Sequence, residues 1–155
     1  MASHKATAKK LIAVRDKYKT LNALMDNAAQ RSNALRRYLG SFAETLVLMM
    51  KERKISNKNL ADLSLVGEKT IQRLRNDEEY PTTKHMVLGL CVVLSLSPPE
   101  AEDFFDKSDF KLNPKKTEDY IYKCVLGACA TNSIYAVNEM LIAHGVPPIG
   151  SEGQE

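Results

Sequence analysis

The sequence predicts an all-α protein. Apolar residues recur at three- and four-residue spacing almost throughout its 155 residues, Gly and Pro are scarce before residue 80, and period-2 alternation of β-branched residues is absent. The spacing predicts helices over 6–38, 41–54, 57–64, 67–76, 83–95, 98–107, 115–130 and 133–144. Breaks fall at Gly40, at Lys54-Ile55-Ser56, at Tyr80-Pro81-Thr82, at Ser97-Pro98-Pro99 and at Asn113-Pro114. Gly145 followed by Pro147 and Pro148 ends the last helix, since Gly relieves the left-handed residue past a helix and Pro cannot continue it. Residues 150–155 are expected to form a disordered tail.

Composition narrows the class. Apolar residues make up 44% and charged residues 26%, which suits a folded globular domain. No apolar stretch approaches the roughly 20 residues needed to cross a bilayer. Charge rather than an apolar block follows the N-terminus, so a secretory signal is not expected. Cys91, Cys124 and Cys129 are odd in number and lack framework spacing, which fits a reducing compartment. The expectation is a cytoplasmic protein without a membrane segment.

Charge is uneven along the chain. Residues 1–40 carry nine Lys/Arg against two Asp, residues 41–90 carry eight basic and seven acidic groups, and residues 91–155 carry five basic and ten acidic groups. A basic arm ahead of an acidic tail points to a nucleic-acid contact, an internal electrostatic contact, or both.

The first helix holds a heptad seam of Leu11, Val14, Tyr18, Leu21, Met25, Ala28, Ser32, Leu35 and Leu39 at alternating steps of three and four. Such a seam suits dimerisation or a partner helix. With Leu11 as a, the e and g sites include Arg15, Lys17, Arg31 and Arg36 and no acid, so a symmetric self-pair repels. Packing on the acidic C-terminal helices, in the same chain or a twin, or on a different acidic protein partner suits those charges better. An amphipathic helix packed within its own globule is the plainer alternative. In the C-terminal region, Ile121, Val125 and Ala128 with Ile134, Val137 and Leu141 suggest a hairpin that either completes the core or forms a dimer face.

Residues 57–76 have the pattern that a helix-turn-helix requires. Ala61 is small where a second helix would cross the first, Leu65 and Val66 offer apolar anchors in a short turn, and Gly67 is a helix N-cap. Ile71 and Leu74 are spaced to bury one face of the second helix. Glu68, Lys69, Thr70, Gln72, Arg73 and Asn76 then occupy its outer face, with side chains of suitable length for base edges and phosphates. Leu46, Met49 and Met50 before the motif, and Met86, Leu90 and Leu94 after it, would close the small core.

Residues 41–110 resemble the Xre-type, lambda-repressor-like helix-turn-helix family of bacterial and phage regulators. Leu60-Ala61-Asp62 and Glu68 through Asn76 carry the resemblance, while helix 83–95 is similar to the family's fourth helix and the acidic helix after Pro98 to its fifth. The resemblance implies a lambda-repressor-like bundle, here with a long basic N-terminal helix and a C-terminal helical hairpin. It implies a phosphate contact at Asn57 and neighbouring Lys58, base reading by Glu68, Lys69 and Thr70 with Gln72 and Arg73 one turn on, and a backbone contact at Asn76. The expected partner is then double-stranded DNA, bound by a homodimer. Leu65 stands where the family usually has Gly. A non-Gly residue at positive φ costs roughly 1 kcal/mol, so the form of this turn is for the structure to decide.

Enzymatic chemistry has little support. His4, His85 and His144 are isolated, Cys124 and Cys129 are five residues apart and off a common face, and buried apolar roles are expected for all three cysteines. There is no zinc pattern, phosphate loop or nucleophile–base arrangement, and no cofactor or metal is expected. The reading is a sequence-specific transcriptional regulator, a dimeric repressor, divided into a heptad arm (1–40), a DNA-binding domain (41–110), a helical extension (111–149) and the tail. The alternative is an antitoxin-like or adaptor module docking through the arm.

Overall fold

In the structure, a computed structural model, the backbone of residues 2–150 is described, with the side chains of that range except residues 2–6, 13, 15–18, 31 and 34. Of the expected tail 150–155, Gly150 is described and lies against Leu65, while residues 151–155, with the side chains of the seam residue Tyr18 and of Arg15, Lys17 and Arg31, lie outside the described residues. All regular structure among the described residues is helical: α1 (Ala2–Leu35), α2 (Phe42–Glu52), α3 (Asn57–Ser64), α4 (Glu68–Asn76), α5 (Lys84–Val93), α6 (Pro98–Lys107), α7 (Thr117–Leu126) and α8 (Ile134–Ala143). The all-α prediction holds.

The chain divides into two compact units, Met1–Arg37 and Tyr38–Glu155. The first is α1 alone. Its seam residues Leu11, Val14, Leu21 and Met25 are exposed, and Leu35 is half-buried. The helix ends three residues before the predicted boundary. Beyond it Tyr38 belongs to the second unit, where its ring is buried and its hydroxyl donates to Glu52 Oε2 at 2.6 Å.

The second unit closes around one core. Side-chain oxygens of Ser41, Ser56 and Thr83 accept the third amide of α2, α3 and α5 in turn, satisfying donors that a helix start leaves unpaired. At α6 the Glu100 carboxylate accepts from the Ser97 amide at 3.2 Å and from its hydroxyl at 2.9 Å, behind prolines whose fixed φ suits a first turn. Leu46, Met49, Leu60, Ile71, Leu74, Leu88, Leu90 and Phe104 are all fully buried. Each such side chain contributes about 1.5–3 kcal/mol by leaving water. Phe42 and Phe104 stack at 4.3 Å between centroids, joining α2 to α6.

The C-terminal helices pack into this core, one of the two roles that the sequence left open. Tyr122, Val125, Leu126, Cys129, Ile134, Val137 and Leu141 belong to the same buried cluster as the helix-turn-helix residues. The predicted helix 115–130 is shorter, because residues 127–131 form tight turns with amides reaching back three residues, as from Ala128 to Val125. Lys84 on α5 and Asp119 on α7 form a 2.6 Å ion pair, and the Asn113 amide donates to the other Asp119 oxygen at 2.8 Å. Burial alone would raise the Asp119 carboxyl, but the Lys84 hydrogen bond, the Asn113 amide and the nearby lysine charges outweigh it and hold it below its usual range. Cys91 and Cys129 are buried as expected. Cys124 is exposed, correcting its assignment as a core residue: it lies on the side of α7 that faces away from Tyr122 and Val125.

Candidate nucleic-acid interface

The interface is built on α3, the turn Leu65–Gly67, and α4. Ala61 is buried at the crossing, and Ile71 and Leu74 sink the inner face of α4 into the core. Three- and four-residue periodicity then leaves Glu68, Lys69, Gln72, Arg73 and Asn76 exposed, with Thr70 half-buried. On α3 Lys58 is exposed and Asn57 half-buried. The eight residues therefore lie on two packed elements, six of them along one short helix. Their surface is mixed in sign, with Lys58, Lys69 and Arg73 set against Glu68.

The turn keeps the left-handed form despite its leucine. Leu65 sits at φ 62°, ψ 20°, its amide returning to the Ala61 carbonyl at 3.1 Å, and Gly67 begins α4 in extended geometry. The Leu65 backbone thus takes the conformation that Gly usually supplies, and the turn form is retained. Of the two predicted apolar anchors, Val66 is buried but Leu65 is 51% exposed. Its left-handed backbone aims the side chain away from the core that Val66 enters.

Two contacts that sequence reasoning missed hold the interface in shape. Arg75 Nη1 donates to Asn57 Oδ1 at 2.6 Å, linking the last turn of α4 to the first residue of α3. The Arg73 guanidinium carbon lies 5.8 Å from the Tyr80 ring centroid, a cation–π approach that narrows the range of this exposed side chain. Arg75 follows Leu74 immediately, and nothing in the local pattern separates it from Arg73. Only the crossing of α3 and α4 shows that one arginine faces protein and the other solvent.

The acids Asp77, Glu78 and Glu79 are exposed in the following turn, Glu78 accepting from the Ser41 hydroxyl at 3.1 Å. Among the described residues no group of His, Cys, Asp and Glu could hold a metal ion, and no helix is long and apolar enough to cross a membrane.

Comparison with known proteins agrees with this geometry. Residues 45–107 match the family model of the Cro/C1-type HTH DNA-binding domain, a span running from α2 to the end of α6. No curated protein and no solved structure matches the chain at a significant level. The bundle α2–α6, with its left-handed turn and solvent-facing α4, is a Cro/C1-type helix-turn-helix DNA-binding domain of the Xre, lambda-repressor-like family.

Proposed function

We propose that the chain is a sequence-specific transcriptional regulator, a repressor that acts as a dimer and reads the major groove with α4. The observation that carries this reading is the row Lys69, Gln72, Arg73 and Asn76, exposed on a helix whose opposite face is anchored by Ile71 and Leu74. Lys69 and Arg73 serve guanine or phosphate, Gln72 and Thr70 serve base edges, and Glu68 accepts from cytosine N4. Lys58, Asn57 and Asn76 hold the backbone. Asn57 brings its amide nitrogen to this role, because its oxygen is already engaged by Arg75. Two copies would place recognition helices about 34 Å apart, one helical turn of DNA, and repression then follows from occluding polymerase, with no chemistry asked of the protein. Because the α3–α4 surface is mixed in sign, the nine basic residues of 1–40 supply much of the phosphate neutralisation.

The test is fluorescence anisotropy with the chain's own upstream DNA and with random-sequence DNA across a salt series. Tight binding to the upstream DNA, steeply weakened by salt and lost in the Lys69→Ala/Arg73→Ala variant, supports the reading. Equal, feeble binding to both DNAs overturns it.

A second reading, a protein–protein module docking through α1, is favoured by the exposure of Leu11, Val14, Leu21 and Met25 on that helix. Its partner is an acidic protein, matching the basic flanks of the seam. Loss of function in Leu21→Asp with DNA binding intact would select it.

A further inference from the structure

Residues 145–150 lie outside the stretch that matches the family, yet they run beside its turn. This strap is held at several points. Asn138 Nδ2 donates to the Ile149 carbonyl at 3.2 Å, and the Ile149 amide donates to Asn138 Oδ1 at 2.7 Å. His85 Nε2 lies 3.1 Å from the Pro147 carbonyl oxygen. Val146 and Ile149 are buried, and a methyl added at Gly89 would meet Ile149 Cγ2 at 3.2 Å.

The strap ends on Leu65. Gly150 takes φ 92°, and a methyl built there would fall 2.9 Å from Leu65 Cδ1 and 3.2 Å from its Cβ. One cavity of about 240 Å³ is lined jointly by Leu65, Gly67 and Thr70 of the turn and α4 and by Ile149 and Gly150 of the strap. Leu65 therefore occupies a backbone conformation that disfavours it, with its side chain against the strap. A glycine there would suit the backbone better but would remove the side chain that meets Gly150.

We propose that Val146–Gly150 braces the turn between α3 and α4 and so sets the aim of α4 on DNA, with Asn138 as the positioning residue that locks the strap. This rests on the sequence-specific DNA reading above. Two variants release the brace differently: Asn138→Ala removes both hydrogen bonds, and Gly150→Val leaves Asn138 in place while straining the positive-φ backbone and driving atoms toward Leu65. Ile121→Ala, on α7, serves as a control for general destabilisation.

Each full-length variant is measured against the duplex that the wild-type chain enriches from a random pool, against the unselected pool, and by amide hydrogen exchange. The expected result is a roughly tenfold loss of preference for the selected duplex, comparable to one lost base contact. The salt slope stays unchanged, because no phosphate contact is removed. Exchange rises at the hydrogen-bonded amides of Leu65 and Ile71, which flank the turn, as well as in the strap, and by more than in the control, which leaves the preference unchanged. The proposal is overturned if the strap amides exchange faster with no change at Leu65 and Ile71 or in preference, or if the control lowers preference equally. Should the wild-type chain enrich no duplex, the sequence-specific reading fails, and the brace is decided by exchange at Leu65 and Ile71 alone.

Discussion

Arg75 reaches from the last turn of α4 to Asn57 at the start of α3, a 2.6 Å hydrogen bond between residues 18 apart in sequence. The bond closes the open side of the helix pair, opposite the turn at Leu65. It fixes the angle between the helices at the end remote from their covalent link. A double-mutant cycle of Asn57→Ala and Arg75→Ala in urea unfolding should give a coupling of about 1–2 kcal/mol, as for a charge-assisted hydrogen bond in a half-buried setting. A coupling near zero would mean that the pair does not join the helices in solution.

Exposed residues of α4 should separate binding from stability. Arg73→Ala and Lys69→Ala are each expected to weaken specific binding by about 1–3 kcal/mol per lost base contact. Lys58→Ala should weaken binding to all sequences alike and reduce the salt slope by about one. Thermal midpoints should stay near wild type for Lys58→Ala and Lys69→Ala, whose side chains are exposed.

Acid should unfold the second unit through two carboxylates. Burial alone would raise Glu100, but the Ser97 hydrogen bonds and the Arg53 guanidinium hold it below the ordinary 4.5, and Asp119 is likewise held below 3.8. The unfolded chain then binds more protons than the folded one in this range. Their stabilisation is whole above about pH 5 and is lost as pH falls through these unfolded values and on through the lower folded ones. Lys84→Ala removes the partner of Asp119, so its stability should fall and its loss with acid should become shallower. Urea midpoints measured across that range decide the matter.

Thiol labelling should report the packing directly. Burial raises the Cys129 thiol to about 12 and the Cys91 thiol well above its usual range, whereas Cys124 is exposed. In the native protein a maleimide is expected to modify Cys124 rapidly and the other two only as fast as the unit opens. Mass spectrometry of the digested product locates the adducts. Rapid modification of Cys91 without denaturant would contradict the core described above.

Gly89 should tolerate no side chain. A methyl there would lie 2.9 Å from the Ser64 carbonyl oxygen, where α5 meets the end of α3. Backbone cannot yield as a flexible side chain does, so Gly89→Ala is expected to cost about 1–3 kcal/mol by denaturant titration.

Helix order, the N-cap at Gly67, the break at Ser97-Pro98-Pro99 and the buried faces of α2, α4 and α5 were legible in the sequence, because they follow from 3.6-residue periodicity and from the Gly and Pro residues that punctuate helices. Ile71 and Leu74 needed no partner to be named as inward. By the same logic Glu68, Lys69, Gln72, Arg73 and Asn76 could be named as outward.

What the fold alone decided are relations between residues far apart in sequence. Local spacing cannot tell that Asn57 is engaged by Arg75, that Tyr122 joins the core while Cys124 faces solvent, or that the chain past Gly145 returns to the turn at Leu65. The same holds for Leu65 itself. Its left-handed backbone is unfavourable by local preference, and it is accepted because the turn must join two helices that are already fixed by their own buried faces.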